Sequence, residues 1–173
     1  MKNNRMKILN FVISKLSVTD ADAITIPAIV KAVNINVAQF HESYPDYETL
    51  LFDVLSVISM YYLREMFSGI PAISKKSSPK NKQLFFEILL MRLQAFFTSE
   101  LGKAFISIYQ QFEFDARFER LLTAIKTEWY EMLHIALSRA GMSTKTSDAF
   151  YCCFNTAYQA HRENAGYTTC TVH

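Results

Sequence analysis

The stretch between residues 25 and 51, TIPAIVKAVNINVAQFHESYPDYETLL, restricts the fold most, because consecutive capping signals write two short helices and the turn between them. Thr25 is a candidate N-cap, and Pro27 falls in the first turn, where a missing N–H costs little. Ile26, Ile29, Val30 and Val33 recur at helical spacing and give residues 25–33 one apolar face. Asn34-Ile35-Asn36 then breaks the pattern. Asn34 suits the left-handed conformation that ends a helix, and Asn36 can cap the next one. A second short helix is expected over residues 37–44, with Phe40 and Tyr44 facing inward at i, i+4 spacing. Pro45 stops it, and Asp46 caps a longer helix with Glu48 in its first turn. Two short helices joined by three or four residues form the helix-turn-helix pattern, whose second helix enters the DNA major groove.

The remainder of the chain repeats the helical period. Residues 5–17 carry a buried stripe of Ile8, Leu9, Val12, Ile13 and Leu16. The helix opened by Asp46 is expected to span residues 47–67, about 30 Å, long enough to link two domains. Residues 68–81, rich in Ser, Pro, Gly and Lys, read as a loop. Residues 82–98 are apolar almost all round, which places that helix at the centre of a second domain. Further helices are expected over 101–114, 116–140 and 144–162, with Gly141 ending the second of these and residues 164–173 frayed or extended. With only 4 Gly and 4 Pro among 173 residues, the chain lacks the turn residues of a β protein, so it is all-α.

Several function classes find no support. The most apolar run, residues 84–97, is interrupted by Glu87, Arg92 and Gln94 and is too short to span a bilayer, and residues 1–7 open an amphipathic helix rather than a secretory signal. No membrane association and a cytoplasmic location are therefore expected. Cys152, Cys153 and Cys170 form no disulfide framework and show no metal-ligand spacing. No glycine-rich phosphate loop, nucleophile elbow or HExxH pattern is present, so the expectation is no enzyme, no cofactor and no metal. Glu128, Glu131 and His134 share a helix at i, i+3 spacings, for which alternating surface charge is the commoner explanation.

The N-terminal residues resemble the DNA-binding domain of the TetR family of transcriptional regulators. The resemblance rests on Thr25, Ile29, Lys31, Asn34-Ile35-Asn36, Ala38, Phe40, Tyr44, Pro45, Glu48, Leu50 and Leu51, kept in register over roughly the first 55 residues. It implies a helix-turn-helix DNA-binding domain over residues 1–55, the 47–67 helix as connector, and a helical ligand-binding and dimerisation domain over 56–173. Transferred position by position, it gives groove or base contacts to Asn36, Val37, Gln39 and His41. Gln39 would pair bidentately with adenine and Val37 would touch a thymine methyl. Thr25 and Tyr47 fall at phosphate-contact positions, and Lys2, Arg5 and Lys7 would form an arm reaching the backbone or minor groove.

Two departures stand out. His41 replaces the family's recognition-helix tyrosine, and Tyr47 replaces its phosphate-binding lysine. Residues 1–55 carry five basic side chains against six acidic ones, and residues 8–55 carry two against six. A protein that docks on a polyanion normally concentrates positive charge on the docking face.

For the second domain, the resemblance implies a small, largely apolar effector whose binding shifts the paired DNA-binding heads. Candidate lining residues are Phe86, Leu90, Phe97, Tyr109, Phe112, Trp129 and Leu133, with Gln94, Gln110 and His134 as polar anchors. It also implies a homodimer through the last two helices, for which Tyr151, Phe154, Ala157, Tyr158 and His161 offer a face. The expected function is thus a repressor of a double-stranded DNA operator, released by its effector. The alternative is a TetR-like protein with weakened or lost DNA binding that acts through protein contacts.

Overall fold

Among the described residues every regular element is helical, and the chain is all-α. A computed structural model describes residues 2–70, 72–112 and 115–164. The helices are α1 (Lys2–Leu16), α2 (Ile26–Val33), α3 (Val37–His41), α4 (Tyr47–Phe67), α5 (Pro79–Thr98), α6 (Glu100–Phe112), α7 (Ala116–Arg139) and α8 (Thr144–Asn164), with a 3-10 turn at Ala21–Ala23. The extended tail expected beyond residue 164 lies outside the described residues.

Local chemistry fixes most of the ends. Ser78 accepts from the Asn81 N–H at 3.3 Å, so α5 opens at Pro79, three residues before the expected start; proline's fixed φ suits a first helical position. Ser99 caps α6 by accepting from the Gly102 N–H at 3.2 Å, and Asp115 caps α7 by accepting from the Arg117 N–H at 2.9 Å. At the other end of α7, Gly141 has φ +70° and the Met142 N–H reaches back to the Leu137 carbonyl at 3.0 Å, a Schellman closure.

Two compact units emerge. The first comprises residues 1–62 and 98–119. In it α1 packs on α2 and α6, and α6 also meets the Ala21–Ala23 turn. Ile8, Val12, Ile29, Phe40, Leu50, Val54, Leu55 and Ile58 are fully buried in this unit, as are Ala104 and Ile108 of α6. The division therefore falls inside α4 after Tyr62, and α6 belongs with the N-terminal helices, whereas the sequence reading put the boundary at residue 55 and all later helices together. The second unit comprises residues 63–97 and 120–173. Its interior is built on Leu89, Leu93, Phe96, Phe97, Trp129, Leu133, Leu137, Phe150 and Phe154. Arg92 ties α5 to the end of α4 by donating to the carbonyls of Glu65 and Ser68, each at 2.7 Å.

Candidate nucleic-acid interface

The segment from Thr25 to Tyr47 is closed at every joint by its own side chains. Thr25 caps α2, its hydroxyl oxygen accepting from the Ala28 N–H at 3.4 Å. Asn34 takes the left-handed conformation (φ 56°, ψ 54°), and the Ile35 N–H reaches the Val30 carbonyl at 3.0 Å. Asn36 and Gln39 then form a reciprocal capping box: Asn36 Oδ1 accepts from the Gln39 N–H at 2.8 Å, and Gln39 Oε1 accepts from the Asn36 N–H at 3.0 Å. Asp46 caps α4 through the Thr49 N–H at 2.7 Å.

α3 is shorter than the periodicity suggests. It ends at His41 rather than residue 44, and the chain turns through Glu42 and Ser43. Pro45 accounts for the early end, since a following proline disfavours helical geometry at Tyr44. The helix is nonetheless anchored. Phe40 is wholly buried, Tyr44 nearly so, and the two rings lie 6.0 Å apart. Val37 (49% exposed), Ala38, His41 and Glu42 face solvent, with Gln39 half-buried between them. One apolar anchor below and a mixed polar face above is the geometry of a helix that presents side chains outward.

The nominated contact residues divide sharply by what already occupies them. Val37 is open. His41 Nδ1 lies 2.9 Å from the Pro45 carbonyl, which can only accept, so Nδ1 carries the proton and Nε2 points away as an acceptor in the neutral ring. Gln39 Oε1 is engaged in the capping box; pairing with adenine needs that oxygen as well as the amide N–H, so reading the base opens the cap. Tyr47 donates its hydroxyl to the Ala21 carbonyl at 2.8 Å, pinning the 3-10 turn to α4.

The basic arm is not found as expected. Residues 2–7 belong to α1 rather than to an extended arm, and the Lys2 side chain lies outside the described residues. Arg5 is committed elsewhere: its Nε and Nη2 donate to the two carboxylate oxygens of Asp53 on α4 at 2.9 and 2.8 Å. Tyr44 donates its hydroxyl to the same carboxylate at 2.6 Å. The Arg5 guanidinium holds the Asp53 carboxyl below the usual carboxylate range, and burial, reinforced by Asp53, pushes the Tyr44 hydroxyl up. The cluster thereby joins α1, the end of the α3 turn and α4. No local pattern signals it, because its members stand 48 and 9 residues apart. A second arginine is consumed in the same way, Arg117 reaching Glu48 at 2.6 Å and Asp115 at 2.9 Å. By sequence the whole unit holds seven Lys and Arg against ten Asp and Glu.

The nominated effector-pocket residues fall in different places. Phe97, Trp129 and Leu133 are buried in the second unit, and the rings of Phe96, Phe97, Trp129 and Phe154 meet one another at centroid distances from 5.2 to 5.9 Å. Phe86 and Leu90 are half-buried on α5, Phe86 standing edge-on to Phe150, and Gln94 is exposed. Tyr109 and Phe112 lie on α6 in the first unit, where Phe112 stacks on Phe118 at 4.3 Å. Beside them the Gln110 Nε2 is buried with no acceptor among the described residues. A cleft of about 450 Å³ lies between α7 and α8, lined by Thr123, Lys126, Thr127, Tyr130 and Tyr151, none of them nominated for the pocket. Of the dimer face, Tyr151 is exposed and Phe154 buried, while the side chains of Ala157, Tyr158 and His161 lie outside the described residues.

In comparisons with protein families, curated proteins and solved structures, nothing matches the chain. Among the described residues no helix is long and apolar enough to cross a membrane, and no group of three His, Cys, Asp or Glu side chains is placed to hold a metal ion.

Proposed function

We propose that this protein is a TetR-like, helix-turn-helix transcriptional regulator that reads double-stranded DNA with the outer face of α3. One observation carries the reading: α2 and α3 are joined by a fully capped three-residue turn, with Phe40 sunk beneath α3 and Val37, Ala38 and His41 facing outward. Val37 supplies an apolar contact for a thymine methyl, and Gln39 reads adenine once its cap opens. The cytoplasm is the location that such a role requires.

The rest of the reading extends to the helices beyond α4. A small, largely apolar effector occupies the helical interior and releases the repressor, and two copies pair through α7 and α8. The buried Gln110 Nε2, which has no acceptor among the described residues, supports an acceptor-bearing effector, since a buried donor without a hydrogen bond is costly. A second reading is favoured by charge. With Arg5 and Arg117 already paired, the exposed cations left to the unit for phosphates are Lys7, Lys15, Lys31 and Lys103 among the described residues, set against an excess of carboxylates. On that reading the outer face of α3 contacts another protein.

A mobility-shift titration against DNA flanking the protein's own coding region separates the two. Sequence-specific retardation at low salt, weakened by Val37→Glu, supports the regulator. No specific retardation even at low salt rejects it in favour of the protein-contact role.

A further inference from the structure

Charge is distributed in the opposite sense in the second unit. By sequence it holds eleven Lys and Arg against six Asp and Glu, and two of its segments, residues 66–86 and 132–147, contain no carboxylate at all. The fold brings these two segments together. An ideal Cβ on Gly141 would lie 2.9 Å from Lys75 Cγ and 3.1 Å from Lys75 Cα, so the loop after α4 rests directly on the turn between α7 and α8. Only glycine permits this twice over, because φ there is +70° and the space a side chain would need is filled by the lysine.

The loop is built rather than loose. Ser77 Oγ accepts from the Ser74 N–H at 3.1 Å, Ser74 Oγ accepts from the Lys76 N–H at 3.3 Å, and Lys82 Nζ donates to the Lys75 carbonyl at 3.0 Å. Lys75, Lys76 and Lys80 are thereby presented at the same end of the unit as Arg139 and Lys145, and all five are exposed. Among the described residues none of them is ion-paired.

We infer that this end of the second unit is a sequence-independent binding surface for the phosphate backbone of double-stranded nucleic acid. The chemistry around the cations selects that partner. Ser74, Ser77, Ser78 and Ser143 neighbour them along the chain and add hydroxyl donors of the kind phosphates accept from. A protein partner would need an aromatic or aliphatic anchor at the centre of the patch, and lysine is depleted from such interfaces. A lipid surface would need an apolar rim to insert. Exposed apolar side chains on the helices that meet there, Leu84 on α5 and Met132 and Ile135 on α7, are divided between two helices, and Glu87 follows Leu84 one turn later. The inference stands apart from the role proposed for α3, since it needs no base readout.

The test is fluorescence anisotropy of the full chain with a mixed-sequence 20-base-pair duplex over a series of salt concentrations. The comparison protein carries Lys75, Lys76, Lys80, Arg139 and Lys145 all changed to Gln, with circular dichroism to establish equal helix content. Each lost phosphate contact removes about 0.9 from the slope of log K against log salt, so the loss of all five should shrink the slope by roughly 4.5. Shrinkage below roughly 2 overturns the inference. So does wild-type protein that binds vesicles of anionic lipid, or polyglutamate, but not the duplex. Gly141→Ala gives a second reading at unchanged charge: it should displace the loop and weaken duplex binding several-fold, and unaltered binding would show that the Lys75 contact does not assemble the surface. The α3 reading is judged by sequence-specific retardation and this surface by the mixed-sequence salt slope, so loss of the one and loss of the other remain distinguishable.

Discussion

The two units treat their cations differently. In the first, Arg5 and Arg117 are each held by carboxylates, and Asp53 is shared further with Tyr44. In the second, Lys75, Lys76, Lys80, Arg139 and Lys145 gather at one end with no carboxylate in the segments that carry them. By sequence the unit that resembles a DNA reader holds seven Lys and Arg against ten Asp and Glu, and the unit expected to hold an effector holds eleven against six. In the first, Lys7, Lys15, Lys31 and Lys103 are exposed and in no ion pair among the described residues. Shape and charge, the two requirements for gripping a duplex, reside in different parts of the chain. A surface that discriminates bases needs defined side-chain positions, which α3 has, whereas a surface that only holds phosphates needs exposed cations.

The largest expected effect separates the anchor of α3 from its surface. Phe40→Ala empties a fully buried site and should cost about 3–5 kcal/mol in denaturant unfolding, while Val37→Ala, at a half-exposed site, should change stability by less than about 0.5 kcal/mol. Comparable losses at both positions would mean that α3 is not seated as described. Next comes the capping box. Asn36→Ala removes the acceptor for the Gln39 N–H and frees Gln39 Oε1 only in part, for a loss of about 1 kcal/mol. In the opposite direction, Gln110→Met replaces an amide whose Nε2 is buried with no acceptor among the described residues by an apolar chain of similar length. It should stabilise the protein by up to about 1 kcal/mol, and destabilisation would point to a partner for that amide.

The smallest effect concerns Asp53. Its carboxyl is held low by Arg5, so the ion pair contributes stability that is present above the unfolded carboxylate pKa of about 4 and is lost as pH falls through the lower folded value. Asp53→Asn should cost less than about 1 kcal/mol at neutral pH, because Arg5 is largely exposed, and should flatten the acid limb of the stability curve below about pH 4. An unchanged acid limb would show that the pair does not form in solution. The same substitution releases the Arg5 guanidinium, so on the regulator reading it should also steepen the salt dependence of DNA binding by roughly one phosphate contact.

What could be read from the chain alone follows the range of the interactions. Thr25, Asn34, Asn36 and Asp46 act within four residues of their own position, and their roles were legible because capping is local chemistry. Buried stripes were legible too, since Phe40, Leu50 and Val54 recur with the helical period. Periodicity says that a face is covered, and not what covers it. The buried face of α6, with Ala104, Phe105 and Ile108, therefore does not announce from the sequence that α1 covers it. Nothing local marks the Arg5 guanidinium as paired, because its partner lies 48 residues away, and the meeting of Lys75 with Gly141 spans a longer separation still. Among the pocket candidates, residue type alone links Tyr109 and Phe112 to Trp129, and they belong to different units.

The central claim is that α3 supplies base discrimination through its exposed face. Selection from a library of randomised duplexes, performed in parallel with the wild-type chain and Val37→Glu, tests it most directly. The account predicts an enriched motif for the wild type, and residual salt-sensitive binding without any motif for the variant. An identical motif recovered with both proteins, or none with either, would contradict it.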